Sequence, residues 1–333
     1  MTRNERVKAF ASLGNYLTTL SPSEFQSIAA AARAQNPWFT EENVRLAWDG
    51  VINFLQHEKL LNWLNEYADI NLPKKVALVL AGNIPMVGFH DTLCVLLSGH
   101  SALIKSSSKD TYLVKIVLDK LIEIEPQFSS AILFMDQLKG FDAVIATGSD
   151  NSARYFDYYF GKYPNIIRKN RSSVAIIDGT ETRDDLKALG EDVFSYFGLG
   201  CRNVSKLFVP ASYTFDTLFE SWAPFQNVIH HHKYCNNYDY QKSILLVNKS
   251  PFLDNGFVML QESKKLVSPI SVVYYSYYAN ADDLNDQIQQ SLEKIQCIVG
   301  KRKPATIAFG KSQCPEPWDY ADQIDTLRFL STL

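Results

Sequence analysis

The residues best placed by type to do chemistry cluster in three short turns. Cys201 follows Gly198-Leu199-Gly200 and precedes Arg202-Asn203. A cysteine between two such neighbours is a candidate nucleophile. Glycines let a ligand approach the backbone, the cysteine's own N–H can donate to an oxyanion, and an adjacent arginine favours the thiolate. The plainer reading is a small buried hydrophobe, the usual fate of cysteine. Asn83, in Ala81-Gly82-Asn83-Ile84-Pro85-Met86-Val87-Gly88, offers an amide donor. The segment lacks the GxGxxG spacing of the standard dinucleotide turn, and it also reads as an ordinary turn. Thr147-Gly148-Ser149 precedes a helical stretch whose N-terminus suits a pyrophosphate. Its plain alternative is a serine helix cap.

The elements around these turns alternate. Val76–Leu80 is a continuous apolar run, as in a buried parallel strand. Helical spacing follows over Val87–Leu97, then a strand at Ala102–Lys105 and a helix after Asp110. Strands at Ala131–Met135 and Ala143–Ala146 precede a helix from Asp150 to about Tyr159. Ser173–Ile177 reads as the next strand, Thr182–Phe197 as a helix ending at the Cys201 turn, and Lys206–Pro210 as the strand after it. A helix at Phe215–Trp222, strands at Ser243–Val247 and Ile270–Tyr278, and a helix at Ala281–Ser291 complete the pattern. Alternation of this kind predicts an α/β fold of two doubly wound domains with an N-terminal helical layer. The expected divisions are a helical region over 1–70, a cofactor-binding domain over 71–178, a catalytic domain over 179–310, and a C-terminal segment over 311–333.

Composition sets the class. The 333 residues suffice for two domains, and 46% hydrophobic against 21% charged residues is a globular balance. A net charge of −3 gives no reason to expect nucleic acid. No apolar run is long enough to span a bilayer. No apolar leader follows Met1, and the five cysteines, irregularly spaced and without a CxxC pair, suit a reducing compartment, so a cytoplasmic location is expected.

Taken in order, the turns form a pattern: a strand ending in Gly-Asn-x-Pro, a strand ending in Lys105, Thr147-Gly148-Ser149, then Gly-x-Gly-Cys201. That order resembles the aldehyde dehydrogenase superfamily. Further segments bring it nearer the LuxC-like acyl-CoA reductases, the fatty-acid reductases of bacterial bioluminescence. These are Arg168-Lys169-Asn170-Arg171-Ser172-Ser173-Val174-Ala175, Gly200-Cys201-Arg202-Asn203-Val204-Ser205, Lys233-Tyr234-Cys235-Asn236-Asn237-Tyr238-Asp239-Tyr240 and Asp325-Thr326-Leu327-Arg328-Phe329-Leu330. The resemblance runs from about Asn36 to the C-terminus.

The resemblance implies roles residue by residue. Cys201 becomes the acyl-accepting nucleophile and Asn83 an oxyanion donor. Lys105 reaches the adenosine ribose or its 2′-phosphate, and Thr147, Gly148 and Ser149 lie against the pyrophosphate. The implied reaction reduces a long-chain fatty acyl-CoA to the aldehyde with NADPH through an acyl-cysteine thioester. Lys105 with the loop Ser106–Lys109 suits the 2′-phosphate of NADPH, although such polar loops also simply cap helices. An acyl-protein synthetase is the implied partner. Two departures matter. Hydrolytic members carry a glutamate base just before the strand read here at Ser173–Ile177, where this chain has Arg168-Lys169-Asn170-Arg171. Without a carboxylate there, water is not activated, which favours acyl-CoA reduction over aldehyde oxidation and is also compatible with a non-catalytic homologue. The glutamate that often holds the nicotinamide ribose is likewise replaced, by Lys265-Leu266-Val267-Ser268 before Pro269.

His230-His231-His232 with Cys235 suggests a metal only weakly: on a strand just two of the histidines share a face, and no second ligand cluster is evident, so no metal is expected. The aromatic run Val272–Tyr278 reads as core, subunit edge or acyl tunnel. The alternation Thr326-Leu327-Arg328-Phe329-Leu330 reads as a strand that joins subunits into a homo-oligomer. The competing functions are an oxidative NAD(P)-dependent aldehyde dehydrogenase, a non-catalytic cofactor-binding homologue, and a cysteine acyltransferase or thioesterase without nicotinamide.

Overall fold

A computed structural model describes residues 1–70 and 72–333, in two compact units: Met1–Asn170 with Pro315–Leu333, and Arg171–Cys314. The first unit opens with helices α1 (Arg3–Thr19), α2 (Pro22–Gln35), α3 (Glu41–Phe54) and α4 (His57–Leu64). Thr2, Ser21 and Thr40 cap the first three by accepting from the backbone N–H of Glu5, Glu24 and Asn43. Their apolar stripes bury Phe10, Phe25, Trp48 and Leu60 in one core with the helices that follow.

Next come β1 (Lys75–Val79), α5 (Phe89–Ser98), β2 (Ser101–Lys105), α6 (Tyr112–Ile124), β3 (Ile132–Phe134), β4 (Ala143–Thr147), α7 (Asp150–Phe160) and β5 (Asn165–Arg168). The strands form a parallel sheet ordered β3-β2-β1-β4-β5. The chain winds outward from β1 to β3 on one side and from β4 to β5 on the other. The order therefore reverses between β1 and β4, and in open α/β sheets ligands bind beyond the carboxyl ends of the strands at such a point.

The second unit holds β6 (Ser172–Ile176), α8 (Arg183–Phe194), β7 (Val204–Pro210), α9 (Asp216–Trp222), α10 (His232–Val247), β8 (Leu253–Asp254), β9 (Met259–Glu262), β10 (Val272–Tyr278), α11 (Ala281–Gln289) and β11 (Ile295–Val299). Its sheet is ordered β11-β6-β7-β10-β9-β8, parallel except for the short β8–β9 pair. Alternate residues of β6 face opposite layers: Ala175 lies in the core with Leu186 and Leu218, Val174 and Ile176 in the core with Leu284 and Ile288. Helix α12 (Thr326–Ser331) then returns to the first unit, packing on α5.

Several expectations are corrected. The strand expected at the end of the cofactor domain is β6, and it belongs to the second sheet, so the division falls at Asn170–Arg171 rather than after residue 178. Ser243–Val247 is not a strand but the last turn and a half of α10. Tyr238 and Leu245, seven residues apart, are buried on one helical face while Val247 is 81% exposed. The three histidines do not share a strand: His230 ends a 3-10 segment, Ala223–His230, and His232 begins α10. The aromatic strand β10 lies inside the sheet between β7 and β9, not at its edge, and buries Val272, Val273 and Tyr274. Thr326–Leu330 is helical, not an association strand. Asp325 caps it by accepting from the Arg328 N–H, and Leu327 and Leu330, one helical turn apart, are buried.

Candidate functional site

In the first unit, the expected cofactor residues stand level across one edge of the sheet. Register pairs Lys105 with Val79 and Val79 with Ala146, so the turns after β2, β1 and β4 leave side by side. At the usual spacing of neighbouring strands, the ends of β2 and β4 lie about 10 Å apart. The Lys105 side chain is exposed and makes no ion pair or hydrogen bond among the described residues. The hydroxyl of Ser106, next to it, is buried without a protein partner. A buried hydroxyl without a partner is costly. An unpaired cation beside an orphaned hydroxyl, at the carboxyl edge of a doubly wound sheet, fits the sugar and phosphate groups of a dinucleotide.

The Asn83 turn is held from two directions. A Cβ on Gly82 would stand 2.7 Å from Ser107 Oγ and 3.1 Å from the Asp110 nitrogen, so only glycine lets the β1 and β2 loops close on each other. Asp110 then ties the loops together. Its Oδ2 accepts from the Met86 N–H at 2.7 Å and its Oδ1 from the Leu113 N–H in α6. Met86 has a left-handed backbone, φ +56°, which the bond from Asp110 helps to hold. Burial pushes the Asp110 carboxyl up to about 6, against the two N–H groups that favour its charged form. The sequence marks Asp110 as a helix cap; its second bond, to a loop 24 residues earlier, has no local signal.

Thr147-Gly148-Ser149 opens α7 as expected. Ser149 Oγ accepts from the Ser152 N–H, so its hydroxyl is used as the cap. A Cβ on Gly148 would meet Phe156 and Ser152 at 2.8 Å, which leaves the turn pressed close to its helix. What this turn presents to a ligand is therefore backbone, at the positive end of an 11-residue helix.

Cys201 lies in the second unit, half-buried between the end of α8 and β7. The loop before it is strained: Tyr196, Phe197 and Gly198 are all left-handed, with φ of +51°, +57° and +77°. Asn203 holds both ends of this loop. Its Oδ1 accepts from the Gly200 N–H at 2.8 Å, and its Nδ2 reaches the carbonyls of Asp192, Val193 and Ser195 at the end of α8. The Cys201 carbonyl accepts from Ser173 Oγ at 3.1 Å on β6. The residue-310 loop braces the same region. Asp192, fully buried, accepts from the N–H groups of Gly310 and Ser312, and Arg202 Nε donates to the Ser312 carbonyl at 2.6 Å. The guanidinium expected to favour a thiolate is thus engaged with a carbonyl. Phe197 packs against His231 with ring centroids 4.5 Å apart, which brings the histidine run to the nucleophile loop. Cys235 Sγ points to Asp239 at 3.8 Å. Among the described residues no group of three His, Cys, Asp or Glu is arranged to hold a metal ion.

The segment where a hydrolytic base was looked for is taken up with structure. Arg168 is buried against Asp91, Thr326 Oγ1 and the Ala321 carbonyl, and Arg171 donates to the Ile295 carbonyl. Sequence reasoning placed Cys201, Asn83, Lys105 and Thr147–Ser149 on turns at strand ends, as found. It missed Asn203, Asp192 and the bond from Asp110 to Met86, whose partners are distant or backbone groups. No helix among the described residues is long and apolar enough to cross a membrane.

Comparison with known proteins agrees with this architecture. The acyl-CoA reductase (LuxC) family model matches residues 54–216. No curated protein sequence matches the chain. Among solved structures, the chain is similar to a putative aldehyde dehydrogenase from Burkholderia cenocepacia, with a TM-score of 0.67 at 12% identity, covering 93% of this chain and 79% of that one. Aldehyde dehydrogenase 21 from Physcomitrella patens, in complex with the reaction product succinate, gives 0.66 at 12% identity over 100% and 84%. An aldehyde dehydrogenase from Bacillus cereus, in an NAD+ complex, gives 0.64 at 11% over 93% and 76%. The chain is therefore similar to the acyl-CoA reductase (LuxC) family over residues 54–216, and its fold is that of the aldehyde dehydrogenases.

Proposed function

We propose that this protein reduces an acyl-CoA, of long-chain fatty type, to the aldehyde at the expense of NADPH, with Cys201 as nucleophile. The observation that carries the reading is the Gly200-Cys201 turn, clamped by Asn203 between a helix and a strand, in a chain that has no carboxylate at 168–171 to activate water. The Cys201 thiolate attacks the thioester carbonyl, and the Cys201 N–H stabilises the oxyanion. The C–S bond to CoA breaks and leaves an acyl-cysteine thioester. NADPH, when bound, supplies the hydride that converts this thioester to a thiohemiacetal, which collapses to aldehyde and free Cys201. Lys105 holds the 2′-phosphate, Ser106 a sugar or phosphate oxygen, and the Gly148–Ser149 backbone the pyrophosphate. A cytoplasmic location, an acyl-protein synthetase partner and homo-oligomeric assembly belong to the same reading; an association strand at Thr326–Leu330 does not, since that segment is helical.

The test is NADPH consumption and aldehyde release with a panel of acyl-CoAs. Wild type turns over; Cys201→Ala does neither while still binding NADPH. Lys105→Ala raises the KM for NADPH about tenfold or more and leaves that for NADH nearly unchanged, as expected for a lost charge-assisted contact. Acid formation from aldehyde without CoA would replace the reading with an oxidative dehydrogenase. Cofactor binding without turnover would make the chain a non-catalytic homologue, and CoA release without NADPH consumption an acyltransferase or thioesterase.

A further inference from the structure

Lys206 has no place in that mechanism. It shares the α11-facing side of β7 with Phe208, two residues on, and is only 3% exposed. Its Nζ donates to the Ser263 carbonyl at 2.6 Å and lies 5.2 Å from the Phe208 ring centre. No carboxylate among the described residues pairs with it. A buried cation without an anion is expensive, and proteins ordinarily pair such groups or discharge them. Burial accordingly lowers the Lys206 amine to about 8, which leaves it mostly charged at neutral pH.

The missing anion has somewhere to sit. Lys206 lines a cavity of about 760 Å³ between the β9–β10 loop and α11, within the size range of small-molecule sites. Lys264, Glu262, Asp283, Ser276, Gln290 and Ser291 line it too. Asp283 is already occupied by the Ala279 N–H and the Gln287 amide, and it forms no ion pair with Lys206. Two cations and two carboxylates make the lining neutral overall, so it suits one negative charge and opposes several. Phe208, Leu266 and Tyr277 add an apolar wall, and the hydroxyl and amide groups supply partners for a polar body.

We propose that this cavity binds a small, polar monocarboxylate, whose carboxylate pairs with Lys206 Nζ. The site is independent of the acyl-reductase reading, since it requires neither Cys201 nor a nicotinamide.

The experiment is carbon-13 NMR of carboxyl-labelled lactate and acetate with the full-length protein, at constant ionic strength set by chloride. Wild type broadens the carboxyl resonance of at least one of them saturably. Lys206→Met, which keeps the stem and removes the charge, weakens binding at least tenfold. Gln290→Trp fills the cavity from α11 without touching Lys206, and it abolishes binding even if the Met variant does not fold. Absence of saturable broadening with both carboxylates, undiminished binding in Gln290→Trp, or competition by inorganic phosphate at equal or lower concentration overturns the proposal.

Discussion

Two buried cations, one in each unit, are handled in opposite ways. Arg168 and Lys206 are each 3% exposed. Burial lowers the pKa of Arg168, but the Asp91 carboxylate 2.7 Å away outweighs it, and the net shift is upward. Thr326 Oγ1 and the Ala321 carbonyl take further N–H groups, so the fork is satisfied on several sides. The pair also fastens the C-terminal segment to the first turn of α5, the helix that follows the Asn83 turn. Lys206 has one carbonyl, one ring face and a cavity. A fully paired buried charge is a structural tie; a half-paired one beside open space is what a ligand site requires. The difference is between a group whose anion is part of the chain and one whose anion is not.

The largest effect should come from breaking the tie. Arg168→Met leaves Asp91 buried and charged, and is expected to cost about 3–5 kcal/mol, measured by urea denaturation. Adding Asp91→Leu should restore much of that loss; a double variant as unstable as the sum of both singles would show that the ion pair is not the main role of Arg168. Next is Asn203→Ala, which orphans the Gly200 N–H and removes the amide from three carbonyls of α8. It should cost about 2–3 kcal/mol and also lower kcat, because the Cys201 turn loosens. A kcat left at the wild-type value would limit Asn203 to stability. Lys206→Met should be neutral or stabilising, on the order of 1–3 kcal/mol at pH 7. The sign in pH follows from the lowered amine. Between about 8 and 10.5 the unfolded lysine holds a proton that the folded one has lost, so wild-type stability rises with pH across that window. The Met variant lacks this rise.

The same contrast shows what was legible in the sequence. Strand-end turns were readable because apolar runs stop at small residues: Val76–Leu80 stops at Ala81-Gly82, and Ala143–Ala146 at Thr147-Gly148. Order along the chain then made the turns specific. What failed was short-range pattern without its setting. Leu327 and Phe329 alternate with polar neighbours as in a strand, yet Asp325 caps a helix there and the packing surface of α5 selects Leu327 and Leu330. Ser173–Ile177 read correctly as a strand, but nothing in a serine and four apolar residues says which of two sheets it joins. Lys206 passed as one charge at the start of a strand, since its burial depends on α11 some eighty residues later.

Asp110 offers the finest test of the distinction between tie and site, because it is a buried charge of the opposite sign that is tied only by backbone donors. Its carboxyl is raised from 3.8 to about 6 by burial, with the Met86 and Leu113 N–H groups offsetting part of the effect. A raised carboxyl binds its proton more tightly when folded, so its contribution is fully present below pH 3.8 and is lost as pH rises through 6. Asp110→Asn cannot titrate, and its amide can accept from only one of the two N–H groups without turning a donor toward the other. The stability of wild type relative to Asp110→Asn should therefore fall, on the order of 1–2 kcal/mol, between pH 4 and 6. Urea titrations at a series of pH values read this directly. A difference that stays flat across that window would mean that Asp110 is charged throughout, that the two backbone donors suffice to hold a buried anion, and that Lys206 is costly for want of partners rather than for its burial.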